Sequence, residues 1–265
     1  MSGFSADWLA LREPADHASV NAGVRANLAQ AFAGRGSLRV VDLGSGTGSN
    51  LRNLSRILGP GQHWTLVDYD AELLDVAHAR EAESAADSVA CKQADLSSGD
   101  LRAVIDDAEL VTASALFDLV SVPVIDRLAD AVAAASAVFY TVLTYDGAAR
   151  WMPEHPADAE MRAAFNRHQR SDKGFGPAAG PDATDILAEA FARHGYRIQR
   201  GGSPWQLDSH FTELRREVDR GWANAAREAG VVASVADDWL HHRLTAPDAV
   251  TIVGHEDLLA LPPVG

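Results

Sequence analysis

Val40-Val41-Asp42-Leu43-Gly44-Ser45-Gly46-Thr47-Gly48 decides the fold. A compact apolar run, Leu38 to Leu43, carries an acidic residue near its end and passes into a Gly-x-Gly-x-Gly turn. A helix is expected from about Thr47 to Leu58, stopped by Gly59-Pro60-Gly61. Glycines at such a turn let the backbone bend sharply and let a ligand lie against it with no β-carbon in the way. A dinucleotide-binding loop wants Gly-x-Gly-x-x-Gly, and Ser49 stands where its third glycine belongs. A phosphate-cradling loop wants Gly-Lys-Ser/Thr, and no lysine is present here.

Outward from this turn the chain alternates strands and helices. His63 to Val67 reads as a second strand ending in Asp68, and Asp70 caps the helix that follows. Ser88 to Gln93 and Glu109 to Ser114 read as the third and fourth strands. Pro123 suits the first turn of a helix that leads to a fifth strand, Val138 to Tyr145. This order predicts a doubly wound α/β fold, a mostly parallel sheet with helices on both faces. The first 33 residues read as two helices divided at Pro14. Helices are also expected at Asp158 to Arg170, Thr184 to His194, Asp208 to Ala229 and Ser234 to Leu244, with a last strand at Ala249 to Gly254. A carboxylate at Asp68 can accept from both hydroxyls of a ribose. Asp95, closing the third strand in Gln93-Ala94-Asp95-Leu96, can accept from an adenine amino group while Leu96 packs on the ring.

DLGSGTG (42–48), LVDYDAELL (66–74), QADL (93–96) and ELVTAS (109–114) resemble, in order and spacing, the class I S-adenosylmethionine (SAM)-dependent methyltransferase family over about residues 36 to 145. The resemblance implies a Rossmann-like, seven-stranded sheet whose last strand inserts antiparallel between strands five and six. It implies SAM as cofactor and S-adenosylhomocysteine as product. The cofactor residues it implies are Asp42, Gly44, Ser45, Gly46, Asp68, Tyr69, Asp95, Leu96 and Ser114. Asp42 would orient the turn and the methionine amino group. The whole chain, 1–265, is then one domain. It has N-terminal helices (1–36), a cofactor-binding core (37–146), a lid-like insertion (147–182), and C-terminal helices with the last two strands (183–265).

Composition narrows the acceptor. Hydrophobic residues make up 47% of the chain, enough for a large core, and the formal net charge is −14. Nucleic-acid binding relies on a basic surface that this balance disfavours. The single cysteine, Cys91, permits no internal disulfide and no cysteine metal cluster, which fits a reducing compartment. No signal peptide or spanning segment is read, so a cytoplasmic enzyme, monomer or homodimer, is expected, with no membrane and no metal. The Asn/Asp-Pro-Pro-aromatic turn of amide and amino-nitrogen methylation is replaced by Ala113-Ser114-Ala115-Leu116. Transfer to the O or N of a small molecule is therefore expected. The alternatives are an RNA or protein methyltransferase, a non-catalytic SAM-binding regulator, and a nicotinamide-dependent reductase.

Ligands of such a sheet bind beyond the carboxyl ends of its strands. That points to the end of the fifth strand and the Gly147–Pro181 stretch, which is too long and polar for a linker. His168 and Asp146 are the catalytic candidates, with His155, His210 and His255 as rivals to His168. Tyr145, Trp151, Arg170 and Lys173 are the substrate-binding candidates, and Gly147–Pro181 is expected to act as a mobile lid.

Overall fold

The strand Leu38–Leu43 (β1) buries five of its six residues, the pattern of a parallel strand covered on both faces. In a computed structural model describing residues 4–263, β1 lies between β2 (Gln62–Asp68) and β4 (Leu110–Ser114). Strands β3 (Ser88–Gln93) and β5 (Val138–Met152) extend the parallel set on either side. The order is β3-β2-β1-β4-β5-β8-β6, where β6 is Arg197–Gly202 and β8 is Val250–Leu261. The last strand runs antiparallel between β5 and β6, as the family resemblance implies.

Eight strands are present rather than seven, because β8 is long enough to hold two partners along one edge. It pairs with β6 from Glu256 to Leu261 and with the short β7 (Trp205–Leu207) from Thr251 to Val253. Strand β5 also outruns its expected end at Tyr145. After register shifts between Thr141 and Thr144 and between Tyr145 and Ala149, it stays paired with β8 as far as Met152. Gly147, which reads as the start of a loop, sits in the second of these irregularities, so the insertion proper begins after Met152. Buried Asp257 on β8 ties the region together. Its carboxylate accepts from the backbone N–H of Asn21 (2.7 Å), from that of Leu143 (2.9 Å) and from Ser203 Oγ (2.5 Å).

Helix α1 (Ala6–Ser19) passes through Pro14 unbroken, and the division falls at Val20, where Asn21 caps α2 (Ala22–Ala31). Proline removes one backbone donor, and side chains on both sides of it anchor the helix. Glu13 takes two hydrogen bonds from Arg52, at 2.6 and 2.7 Å, and Asp16 accepts one from Trp205 Nε1 at 3.0 Å. The chain then forms α3 (Ser49–Leu54), α4 (Ala71–Ala79), α5 (Leu101–Val104) and α6 (Val122–Ala135). The later helices are α7 (Asp158–Gln169), α8 (Ala183–Arg193), α9 (Thr212–Glu228) and α10 (Ala233–Thr245). One face of the sheet packs a core of α5, α6 and α8 residues such as Leu128 and Phe191. The other face packs α2, α3 and α4 and a helical cap of α7, α9 and α10 around Trp222 and Trp239. Among the described residues no helix is long and apolar enough to cross a membrane.

Candidate functional site

The turn after β1 is made by its glycines. Gly44, Gly46 and Gly48 hold φ of +61°, +52° and +78°, a region that costs other residues steric strain. A β-carbon on Gly46 would stand 3.0 Å from Leu9 Cδ1, and one on Gly44 would stand 3.0 Å from Leu116 Cδ1. Asp68, at the end of β2, accepts from the Gly46 N–H at 2.8 Å, so the second strand sets the shape of the turn after the first. Arg52 grips the turn from below, donating to the Thr47 carbonyl at 2.6 Å while it holds Glu13 of α1.

Asp42 is fully buried beneath the turn and accepts from Asn50 Nδ2 at 2.8 Å. Burial pushes its carboxyl up to about 7, against the opposing Asn50 hydrogen bond and with help from the nearby Asp68 charge. Asp42 Oδ2, Ser45 Oγ and Thr47 Oγ are buried with no hydrogen-bond partner among the described residues. Buried polar atoms are normally satisfied, and these three residues line a cavity of about 1150 Å³. A cavity of this size lies just above the usual range for small-molecule sites, roughly 300–1,000 Å³.

All the residues expected to meet the cofactor — Asp42, Gly44, Ser45, Gly46, Asp68, Tyr69, Asp95, Leu96 and Ser114 — line this cavity. The Asp68 carboxylate uses its oxygens on the N–H groups of Gly46 and Asp70, and a carboxylate has lone pairs to spare for two hydroxyls. Asp95 accepts from Ser97 N–H and Oγ and from Ser98 Oγ, bonds that hold it below the usual carboxylate range and fix its own turn.

The far end of the same cavity lies under the cap. Tyr145 and His255 face each other across the β5–β8 pair, and both line it. Tyr145 donates its hydroxyl to Asn166 Oδ1 at 2.7 Å. Phe165 of α7 stacks on Trp222 of α9 at 3.8 Å between ring centroids, and Tyr145 meets Phe165 edge-on at 5.4 Å. His255 Nδ1 has no partner among the described residues, and burial pulls its pKa down to about 3, so its ring stays neutral. Buried Asp118 also lines this end, its carboxyl pushed up to about 6 chiefly by burial. Arg12 spans Asp16 and the Trp205 ring, 4.8 Å above its centroid.

His168 and Lys173 stand in the cavity wall. Lys173 Nζ donates to His168 Nδ1 at 3.2 Å, and His168 Nε2 meets Glu228 Oε2 at 2.9 Å. An ammonium can only donate, so the imidazole proton sits on Nε2 and goes to Glu228. Both His168 nitrogens are thereby engaged within the wall.

Three expected residues lie outside the cavity. Neighbours on a strand point to opposite faces. Tyr145 therefore turns inward while Asp146 turns away, accepting from the Ala148 N–H at 2.8 Å. Trp151 is core, edge-on to both Trp222 and Trp239. Arg170 reaches out to Asp182 at 2.8 Å. Sequence reading missed Asn50 and the α9 residues Val218, Gly221, Trp222, Ala225 and Glu228, all of which line the cavity. Their helical spacing marks one face of α9, but spacing cannot tell a face that fronts a cavity from one that fronts a core. Among the described residues no group of His, Cys, Asp or Glu is placed to hold a metal ion.

A family model described as a methyltransferase domain matches residues 40–137. Among curated proteins no sequence matches. A cyclopropane-fatty-acyl-phospholipid synthase-like protein from Lactobacillus casei aligns at a TM-score of 0.58 and 15% identity, covering 98% of this chain and 95% of its own. The YcgJ protein of Bacillus subtilis aligns at 0.53 and 13% identity, over 92% of this chain and 100% of its own. A SAM-dependent methyltransferase from Geobacter sulfurreducens, solved with S-adenosylhomocysteine, aligns at 0.51 and 18% identity, over 99% of this chain and 100% of its own. These likenesses share the fold, and the matched domain segment holds every residue expected to meet the cofactor. On that match, with the fold behind it, residues 40–137 form a methyltransferase domain, with SAM as its cofactor.

Proposed function

We propose that this enzyme methylates the oxygen or nitrogen of a small molecule held beneath the α7–α9 cap. The observation that carries the reading is the single cavity of about 1150 Å³, which runs from the glycine turn to Tyr145, Trp222 and His255. The cofactor would lie on Gly44–Thr47, with its ribose on Asp68, its adenine between Tyr69 and Leu96, and its amino group toward Asp42 and the turn. When bound it supplies a methyl group already activated on sulfur, so the protein's task is alignment and exclusion of water.

This chain's residues suit that task. Phe165, Trp222 and Tyr145 give the acceptor a dry, flat wall, and the stretch from His168 to Phe175 closes the cavity edge. His255, neutral and with an unpaired Nδ1, orients a donor on the acceptor. Asp118 takes an acceptor proton at its carboxylate, ionised above about 6. His168 serves by holding Lys173 rather than as a base. The formal net charge of −14 disfavours the phosphate neutralisation that RNA binding needs, which supports a small acceptor over RNA. Exposed Cys91 as the lone thiol suits a cytoplasmic enzyme, monomer or homodimer.

Calorimetry should show S-adenosylhomocysteine binding and no response to NAD. Asp68→Ala should weaken that binding by roughly 1–3 kcal/mol, the usual penalty of unpaired polar groups. Incubation with methyl-labelled SAM and a cell extract should place the label in the dialysable fraction. Label recovered in RNA or protein instead would overturn the small-molecule acceptor.

A further inference from the structure

The charged groups at the cap end of the cavity are unequally satisfied. Asp16 takes both Arg12 and Trp205, and Glu217 takes Arg220 Nη1 at 2.5 Å. Asp172 accepts from the N–H groups of Gly174 and Gly176 at 2.7 and 3.0 Å, and Glu228 meets His168. Asp118 is buried, with backbone N–H groups to accept from and a long side-chain contact of 3.5 Å from Gln169. Arg12 is paired with Asp16.

Lys173 differs from all of these. Among the described residues it makes no salt bridge. Its ammonium donates one hydrogen bond, to His168 Nδ1, and Glu228 and Asp118 act on it only through space. An ammonium has three donors, so two are left over. The side chain is half-buried at the cavity edge, where desolvation lowers its pKa, as expected of a cation short of partners. The same cavity is lined by half-buried Phe165, backed by its stack on Trp222, a partner for a flat ring.

Resting on the reading of this end as the acceptor chamber, we infer that the acceptor is a flat, aromatic-type molecule bearing an oxyanion, a carboxylate or phenolate, that pairs with Lys173. Glu228 and His168 hold Lys173 in place, so His168 is a positioning residue. The Glu228 carboxylate takes the imidazole proton on Nε2, which leaves Nδ1 bare to accept from the ammonium. A cationic acceptor would meet Lys173 as a like charge at the cavity edge.

The test uses the full chain saturated with S-adenosylhomocysteine and four probes: benzoate, 4-nitrophenolate, benzamide and benzyltrimethylammonium. Binding is read by calorimetry and by ligand-observed NMR. At least one of the two anions should bind at millimolar concentration, and the one that binds reports which oxyanion fits. Neutral benzamide should bind at least about tenfold more weakly, the worth of one charge-assisted hydrogen bond. Lys173→Met should remove that preference while S-adenosylhomocysteine affinity stays unchanged. His168→Gln, whose amide can accept from Lys173 and donate to Glu228, should keep the preference, and His168→Leu should lose it. Preference for the cation, equal binding of benzamide and the better of the two anions, or no anion binding would each overturn the inference while the methyltransferase reading stands. Failure of S-adenosylhomocysteine itself to bind would strike that reading instead.

Discussion

The two ends of the cavity are built from different materials. The end proposed for the cofactor is backbone: three left-handed glycines, a turn strapped by Asp68 and Arg52, and short side chains at strand ends. The cap end is side chains: a stack of aromatic rings from α7, α9, β5 and β7 that is also the hydrophobic core of the cap. Damage to the first should therefore cost ligand and spare the fold, whereas damage to the second should cost the fold and spare the cofactor.

The largest effect belongs to Trp222, which is 2% exposed and touches Phe165, Tyr145 and Trp151. Trp222→Ala should lower unfolding stability by about 3–5 kcal/mol, the range for deleting a large buried ring. The part that remains folded should still bind S-adenosylhomocysteine. Lost cofactor binding with an unchanged denaturation midpoint would reverse the comparison. Next comes Gly46→Val. Its left-handed backbone and the 3.0 Å approach to Leu9 leave no room for a branched side chain. S-adenosylhomocysteine affinity should fall by on the order of a hundredfold, close to 3 kcal/mol. The strain on the fold should be no more than about 1–2 kcal/mol.

The smallest effect sharpens the comparison through pH. Asp42 carries a proton below about 7 because it is buried. An amino-bearing ligand prefers the carboxylate and must expel that proton, so affinity should fall as pH drops from 8 to 6, by up to roughly tenfold per unit below the pKa. Asp42→Asn should flatten the profile. In the ligand-free protein the sign is opposite. The neutral form suits the fold, so this group's contribution to stability is present below its ordinary 3.8 and is lost as pH rises through about 7. A calorimetric titration flat from pH 6 to 8 in the unmodified enzyme would remove Asp42 from the cofactor end.

The same contrast explains what could be read in the sequence. The cofactor end was legible because each of its parts is local: a strand, then glycines, then an acid at the end of the next strand. The cap end joins Arg12 to Trp205 and Tyr145 to His255, contacts between residues far apart in the chain that no spacing announces. Asp146 shows a rule left unused, since strand alternation alone sets it opposite Tyr145. The length of β5 was hidden by Gly147, a turn residue that sits in a strand irregularity. Pro14 misled in the same way, because tertiary anchors at Glu13 and Asp16 carry α1 past it.

Asp257 has a consequence for how the molecule is made. A growing chain emerges from its N-terminus and tends to fold in that order. Here Asn21, Leu143 and Ser203 all wait for one carboxylate on Val250–Leu261. Until that segment leaves the ribosome, β5, β6 and β7 have no strand to join them, and one edge of β5 is open to pairing with another chain. His255 arrives on the same segment, so the nascent chain can shape its glycine turn early but cannot complete the cap end of its cavity until β8 has emerged.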